Sequence, residues 1–207
     1  MNATKEKFAV LGSLLRVATS LSRLAIWVAG SLTLISALYV TVDVILRKLT
    51  NSGLGGADEL SGYAFAISIS WAFAFATLQR ANIRIDALYQ LLPVRVSALL
   101  DWLALVGLGV FFAYLTFYAY DVALTSWTNQ STANTAMGTP LWIPQFLWVA
   151  GLIWMCLVLA LMLTRSSLAL VTGDLEGIKA VCGMRSTQEE AREEAESGAR
   201  MVKGDAR

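Results

Sequence analysis

Residues 141–164 read LWIPQFLWVAGLIWMCLVLALMLT, 24 consecutive positions without an Asp, Glu, Lys or Arg. Wound as an α-helix at about 1.5 Å per residue, the stretch covers about 36 Å, more than the ~30 Å hydrocarbon core of a bilayer. Three more uncharged runs precede it, at 24–42, 60–79 and 102–120, of 19, 20 and 19 residues. A hydrophobic content of 57% would also suit a large soluble core, but the placement of charge does not. Surface helices of soluble proteins carry a charged face, and none of these runs has one. The expected fold class is all-α: a polytopic membrane protein with four transmembrane helices near 24–46, 60–79, 98–120 and 141–164, together with short interfacial amphipathic helices.

All sixteen Lys and Arg lie outside the four runs. Lys5, Lys7, Arg16 and Arg23 precede the first, Arg47 and Lys48 follow it, and Arg80, Arg84 and Arg95 separate the second from the third. None lies between the third and fourth, and seven follow the fourth. Basic residues are retained on the cytoplasmic side, so this asymmetry predicts that both termini are cytoplasmic. A net charge of +1 with no basic stripe offers nothing to hold nucleic acid.

The 1–23 segment could be read as a signal peptide, with Lys5 and Lys7 before an apolar Phe8–Leu15 stretch, but Arg16 interrupts it and no cleavage site follows. Phe8, Leu11, Leu15, Ala18 and Leu21 instead recur near helical spacing beside Arg16 and Arg23, which predicts a helix on the cytoplasmic membrane surface, against anionic lipid. A second interfacial helix is expected over 83–92, where Ile85, Leu88, Leu91 and Leu92 form an apolar stripe before Pro93. There Arg84 and Asp86 alternate with Ile83 and Ile85, a pattern suited to anchoring in lipid headgroups or on a partner. The outer connection 121–144 is rich in Thr, Asn and Ser and closes on Gly138, Pro140 and Pro144, as an ordered turn into the fourth span. From 165 onward the chain reads as a cytoplasmic tail. Its distal part, with Glu189, Glu190, Glu193, Glu194 and Glu196 and almost no large apolar residue, is too polar to order itself.

Aromatic side chains gather near the span ends: Trp27 and Trp102 inside, Tyr39, Tyr63, Tyr118, Tyr120, Trp142 and Trp148 outside. They read as depth anchors. Ala64, Ser68, Ala72 and Ala76 repeat every fourth residue in the second span, a strip on which another helix can pack closely.

Several chemistries lack their residues. There is no histidine for haem, zinc or general-base work, and Cys156 and Cys182 are far from any Cys-x-x-Cys spacing. No phosphate-binding glycine loop with a lysine occurs. No enzymatic role, cofactor or metal is expected. The ionisable groups gather at the membrane ends, and Asp43 and Arg47, one helical turn apart, can pair. With Asp58 and Glu59 at the same depth they are expected to form an outer polar cluster fixing spans one and two. A solute or ion site would need such groups near mid-bilayer, and no span has one.

In order along the chain stand Asp43-x-x-x-Arg47, Ala57-Asp58-Glu59-Leu60, Asn82-Ile83-Arg84-Ile85-Asp86, Ser126-Trp127 and Thr139-Pro140-Leu141-Trp142-Ile143-Pro144. Arranged around four spans, they resemble the small membrane subunit, of DctQ type, of tripartite ATP-independent periplasmic (TRAP) transporters. The resemblance covers roughly 24–164. It implies a bacterial inner-membrane protein that pairs with a large multi-span permease subunit carrying the sodium and substrate sites. An extracytoplasmic solute-binding protein would deliver the substrate, typically an organic acid, while this subunit braces the permease. It also marks Pro140, Trp142 and Pro144 as the motif opening span four. Other classes fare less well on the residues. A self-sufficient small exporter needs an embedded carboxylate, and Asp43 sits near an end beside Arg47. A membrane redox subunit needs haem ligands. A structural subunit of another membrane assembly stays open on sequence alone.

Overall fold

The computed structural model describes residues 2–80, 93–135, 137–172 and 195. Four helices account for nearly all of them: α1 Asn2–Thr50, α2 Ala57–Leu78, α3 Val94–Thr128 and α4 Trp142–Thr172. All four are long and apolar enough to cross a membrane. Their ends follow from local chemistry. α1 stops at Asn51, whose φ of 55° is the left-handed conformation that Asn tolerates. Gly55 and Gly56, at φ 76° and 69°, then turn the chain into α2. Asp58 and Glu59 occupy the first turn of α2, where unpaired N–H groups favour acids. Pro93 precedes α3, and Pro144 sits in the first turn of α4, where its missing N–H breaks no helical bond.

The helices run beyond the uncharged stretches. α1 has no break at residue 23: no proline lies within it, and it runs unbroken from Asn2 to Thr50. α3 continues past Tyr120 and Asp121 to Thr128, and α4 continues past Arg165 to Thr172, so 165 is not where the helical body ends. A charge marks where an apolar run stops. It does not stop a helix, since Arg and Asp are tolerated within one. The expected helix over 83–92 and the tail from 173, Ala195 apart, lie outside the described residues.

The helices pack around α4, which contacts α1, α2 and α3, while α1 also lies along α2. The most apolar window of α4 is 39% buried within the protein, that of α1 only 6%. Val149, Leu152, Met155, Val158, Leu159 and Met162 of α4 supply the centre of the core. Leu15 and Ala18 of α1 join the same core, as does Ala169 near the far end of α4. Residues 2–23 are thus one continuous helix with the first span. Leu15, Ala18 and Ser22 are buried within the protein, Ser22 beside Trp154 of α4.

Candidate functional site

Polar side chains within the bundle mostly hold one helix to another or close a connection. Asp43, 1% exposed, ends the buried face of α1. Its Oδ2 accepts from Arg47 Nη2 at 2.6 Å and its Oδ1 accepts from the backbone N–H of Leu54 at 2.6 Å. The 51–56 connection is thereby folded back on the helix that leads into it. The chain passes so close that a Cβ added at Gly53 would stand 2.8 Å from Asp43 Oδ1. Tyr39 adds a bond from its hydroxyl to the Gly55 carbonyl, 3.2 Å. The Arg47 side chain is 60% exposed, so one face of the pair meets the surroundings.

Glu59 belongs to a second network. It accepts from Tyr63, one turn along α2, at 3.0 Å, and from the Thr135 hydroxyl, with Thr139 contributing its hydroxyl and backbone N–H. Glu59 therefore ties the start of α2 to the connection between α3 and α4. Among the described residues the ion pair of Arg47 is with Asp43, and the contacts of Glu59 are with Tyr63 and the far connection. The expected single cluster is two. Asp58 joins neither: it is exposed and lines an open recess of about 520 Å³ between α1 and α2 with Thr33, Ser36 and Ser61.

The 129–141 connection is a miniature hairpin. Thr132 and Pro140 form an antiparallel bridge, flanked by Ala133 N–H to the Thr139 carbonyl, 2.9 Å, and Leu141 N–H to the Ser131 carbonyl, 3.0 Å. Trp142 meets Trp127 edge to face, with centroids 4.7 Å apart and planes at 86°, and Pro144 is buried below. Thus Pro140, Trp142 and Pro144 come together with Ser126 and Trp127 to form the corner between α3 and α4. Arg84 and Asp86 lie outside the described residues.

Within the spans, indole N–H groups and small residues join the helices. Trp71 of α2 donates to the Leu147 carbonyl of α4 at 3.1 Å, and Trp154 of α4 donates to Ser22 Oγ of α1 at 2.9 Å. Trp102 of α3 donates to Ser167 Oγ of α4 at 3.0 Å, and Ser68 of α2 donates to the Ala29 carbonyl of α1 at 2.9 Å. Ser68 of the small-residue strip faces α1, whereas Ser70 faces Gly151 of α4. A Cβ at Gly151 would lie 2.9 Å from Trp71 Cδ1 and 3.0 Å from the Ser70 carbonyl carbon. Ser22, Ser70, Trp71 and Trp154 are not singled out by the sequence reading. The usable signal was a tryptophan well inside an apolar run, whose N–H needs an acceptor that lipid cannot supply. Asp101, one residue before the third uncharged run, is buried in α3 at 1% exposure.

A family model described as tripartite ATP-independent periplasmic transporters, DctQ component, matches residues 35–168, well over half of the chain. No curated protein and no solved structure matches it.

Proposed function

The chain belongs to the DctQ family, the small membrane component of tripartite ATP-independent periplasmic transporters, and from that membership we propose that it braces a large permease subunit during sodium-coupled uptake of an organic acid. An extracytoplasmic solute-binding protein hands the acid to the permease. The observation that carries the reading is how the polar groups inside the spans are used. Trp71, Trp102, Trp154 and Ser68 each bond to a neighbouring helix, and no Asp, Glu, Lys or Arg stands in the four uncharged runs to engage an ion or a carboxylate. A chain that commits its polar atoms to internal joints is built to hold shape. The distribution of Lys and Arg supports an orientation with both termini in the cytoplasm, which places the Asp43 and Glu59 networks on the periplasmic side. There they lie within reach of a docked binding protein. Arg84 and Asp86 would then sit at the cytoplasmic interface, as a headgroup or partner anchor.

Reconstitution tests the proposal. Liposomes holding this chain alone should show no sodium-driven uptake with the loaded binding protein outside. Liposomes holding both membrane subunits should take up the acid, and the permease alone should do so poorly, with unchanged selectivity. Uptake by the isolated chain, or full activity of the permease without it, would remove the bracing role.

A further inference from the structure

Where α1 and α2 near the connection that joins them, the open recess of about 520 Å³ is walled by Ser36 and Val40 of α1 and by Asp58, Ser61, Gly62 and Phe65 of α2. The bond from Tyr39 to the Gly55 carbonyl holds the start of α2 beside that turn of α1. Asp58 therefore stands at the mouth, where the uncharged runs end, and Phe65, two turns along α2, lies about 10 Å deeper. Among the described residues the Asp58 carboxylate has no ion pair and no hydrogen bond; its backbone carbonyl accepts from the Ser61 hydroxyl at 3.0 Å. Ser36 is set apart in another way. Thr19, Ser20, Thr33 and Thr41 of α1 turn their hydroxyls back onto a carbonyl one turn earlier, and among the described residues Ser36 makes no such bond. It stands about one turn below the mouth, where hydrocarbon offers a hydroxyl no partner.

Charge of both signs stands at this end. Ser36, Val40 and Arg47 are spaced by four and seven and share one face of α1. Arg47 reaches back one turn to Asp43, which brings its guanidinium down toward the mouth. Its side chain is 60% exposed and its ion pair is with Asp43, so it leaves Asp58 unneutralised. A ligand that matches the recess needs an anion for Arg47, a cation for Asp58 and an apolar part for Val40 and Phe65. A free inorganic ion leaves the apolar walls unused. An anionic lipid brings a phosphate to Arg47 and nothing to Asp58. A quaternary ammonium balances the charge but has no N–H for the carboxylate or the Ser61 oxygen, whereas a primary ammonium has three. Gly62 keeps the way down open, since a Cβ added there meets nothing within 4 Å.

We propose that this recess binds one molecule of phosphatidylethanolamine. Its ammonium donates to the Asp58 carboxylate and the Ser61 oxygen, and its phosphate faces the exposed side of Arg47. A glycerol ester carbonyl accepts from Ser36, and one acyl chain descends past Gly62 between Val40 and Phe65. For the test, the full-length protein, isolated with whatever subunits accompany it, is reconstituted into phosphatidylcholine bilayers. These carry a trace of phosphatidylethanolamine or of phosphatidylglycerol with the same diazirine-bearing acyl chain, and illumination is followed by peptide mapping. The ethanolamine probe should label segments 33–40 and 58–65 several-fold more than the glycerol probe. Asp58→Asn should bring its labelling down to that of the glycerol probe, and Gly62→Leu, which fills the recess, should abolish labelling by both. Asp121→Asn, which removes an exposed acid of α3 near the same end, should change nothing. Equal labelling by the two probes in the unmodified protein overturns the proposal, and that comparison stands whether or not a variant folds. So does an Asp58→Asn protein that labels as before. Absence of lipid adducts from both segments overturns it too, and assigns the recess to another protein chain.

Discussion

Asp43 is a buried carboxylate whose partners come from different directions: a guanidinium from its own helix and a backbone N–H from the next connection. Their unequal exposure separates their weights. Replacing Arg47 with Ala opens the exposed side of the pair, so water can reach Oδ2, and the loss should stay near or below about 1 kcal/mol. Replacing Asp43 with Ala leaves the Leu54 N–H without its acceptor and frees the connection, and should cost about 1–3 kcal/mol. Thermal unfolding of the detergent-purified subunit checks the order, and an Arg47→Ala loss equal to that of Asp43→Ala would contradict it. Gly151 gives a sharper contrast. Its added methyl would press on Ser70 backbone, which cannot rotate away, so Gly151→Ala should destabilise by about 1–3 kcal/mol. Gly107 has nothing within 4 Å of the same atom, and Gly107→Ala should be neutral or stabilising by up to about 1 kcal/mol. The two substitutions are identical on paper, and only the neighbouring helix distinguishes them.

At the scale of elements, the joint between the first part of α1 and α4 decides whether residues 2–23 belong to the bundle. Trp154 and Ser22 make a polar contact there, 2.9 Å long, with Ser22 fully buried. A double-mutant cycle of Ser22→Ala and Trp154→Phe should give a coupling of about 0.5–1.5 kcal/mol, in the range measured for hydrogen bonds between membrane helices. A coupling of zero would detach that part of α1 from α4. On the other side of the bundle, Glu59 links α2 to the hairpin at 129–141. Glu59→Ala should therefore speed amide exchange at Ala133 and Leu141, the residues whose N–H groups close the hairpin, and leave the core of α4 protected. Slow exchange retained at both amides would show the hairpin holds itself.

For the whole molecule, the bundle is asymmetric: α4 is surrounded and α1 is left largely uncovered. A protein that leaves most of one long helix uncovered has more apolar face than its own fold needs, which suits a component that completes a larger assembly. Loss of this subunit should lower the maximal rate of solute uptake without altering the competition profile among substrates. A changed substrate preference would place a specificity determinant in this chain and count against a bracing role.

The number and rough position of the helices were legible in the sequence because each uncharged run is long enough to force a hydrogen-bonded helix in lipid. The pairing of Asp43 with Arg47 was legible too, since residues four apart share a helix face wherever the helix sits. Family membership could be read from short motifs that need only order along the chain. What the tertiary structure alone decided depends on which faces meet. Arg16 and Arg23 set 1–23 apart from the first span because charge is visible in sequence, while the Trp154 indole that meets buried Ser22 lies on α4, more than a hundred residues away. Glu59 looked like a neighbour of Arg47 because both fall at one depth. Depth fixes one coordinate, and the rotation of α2 about its axis, set by Ser68 against α1 and Ser70 against Gly151, turns the carboxylate toward Thr135 instead. Sequence gives each helix its length and its depth; packing gives it its rotation, and the rotation selects its partners.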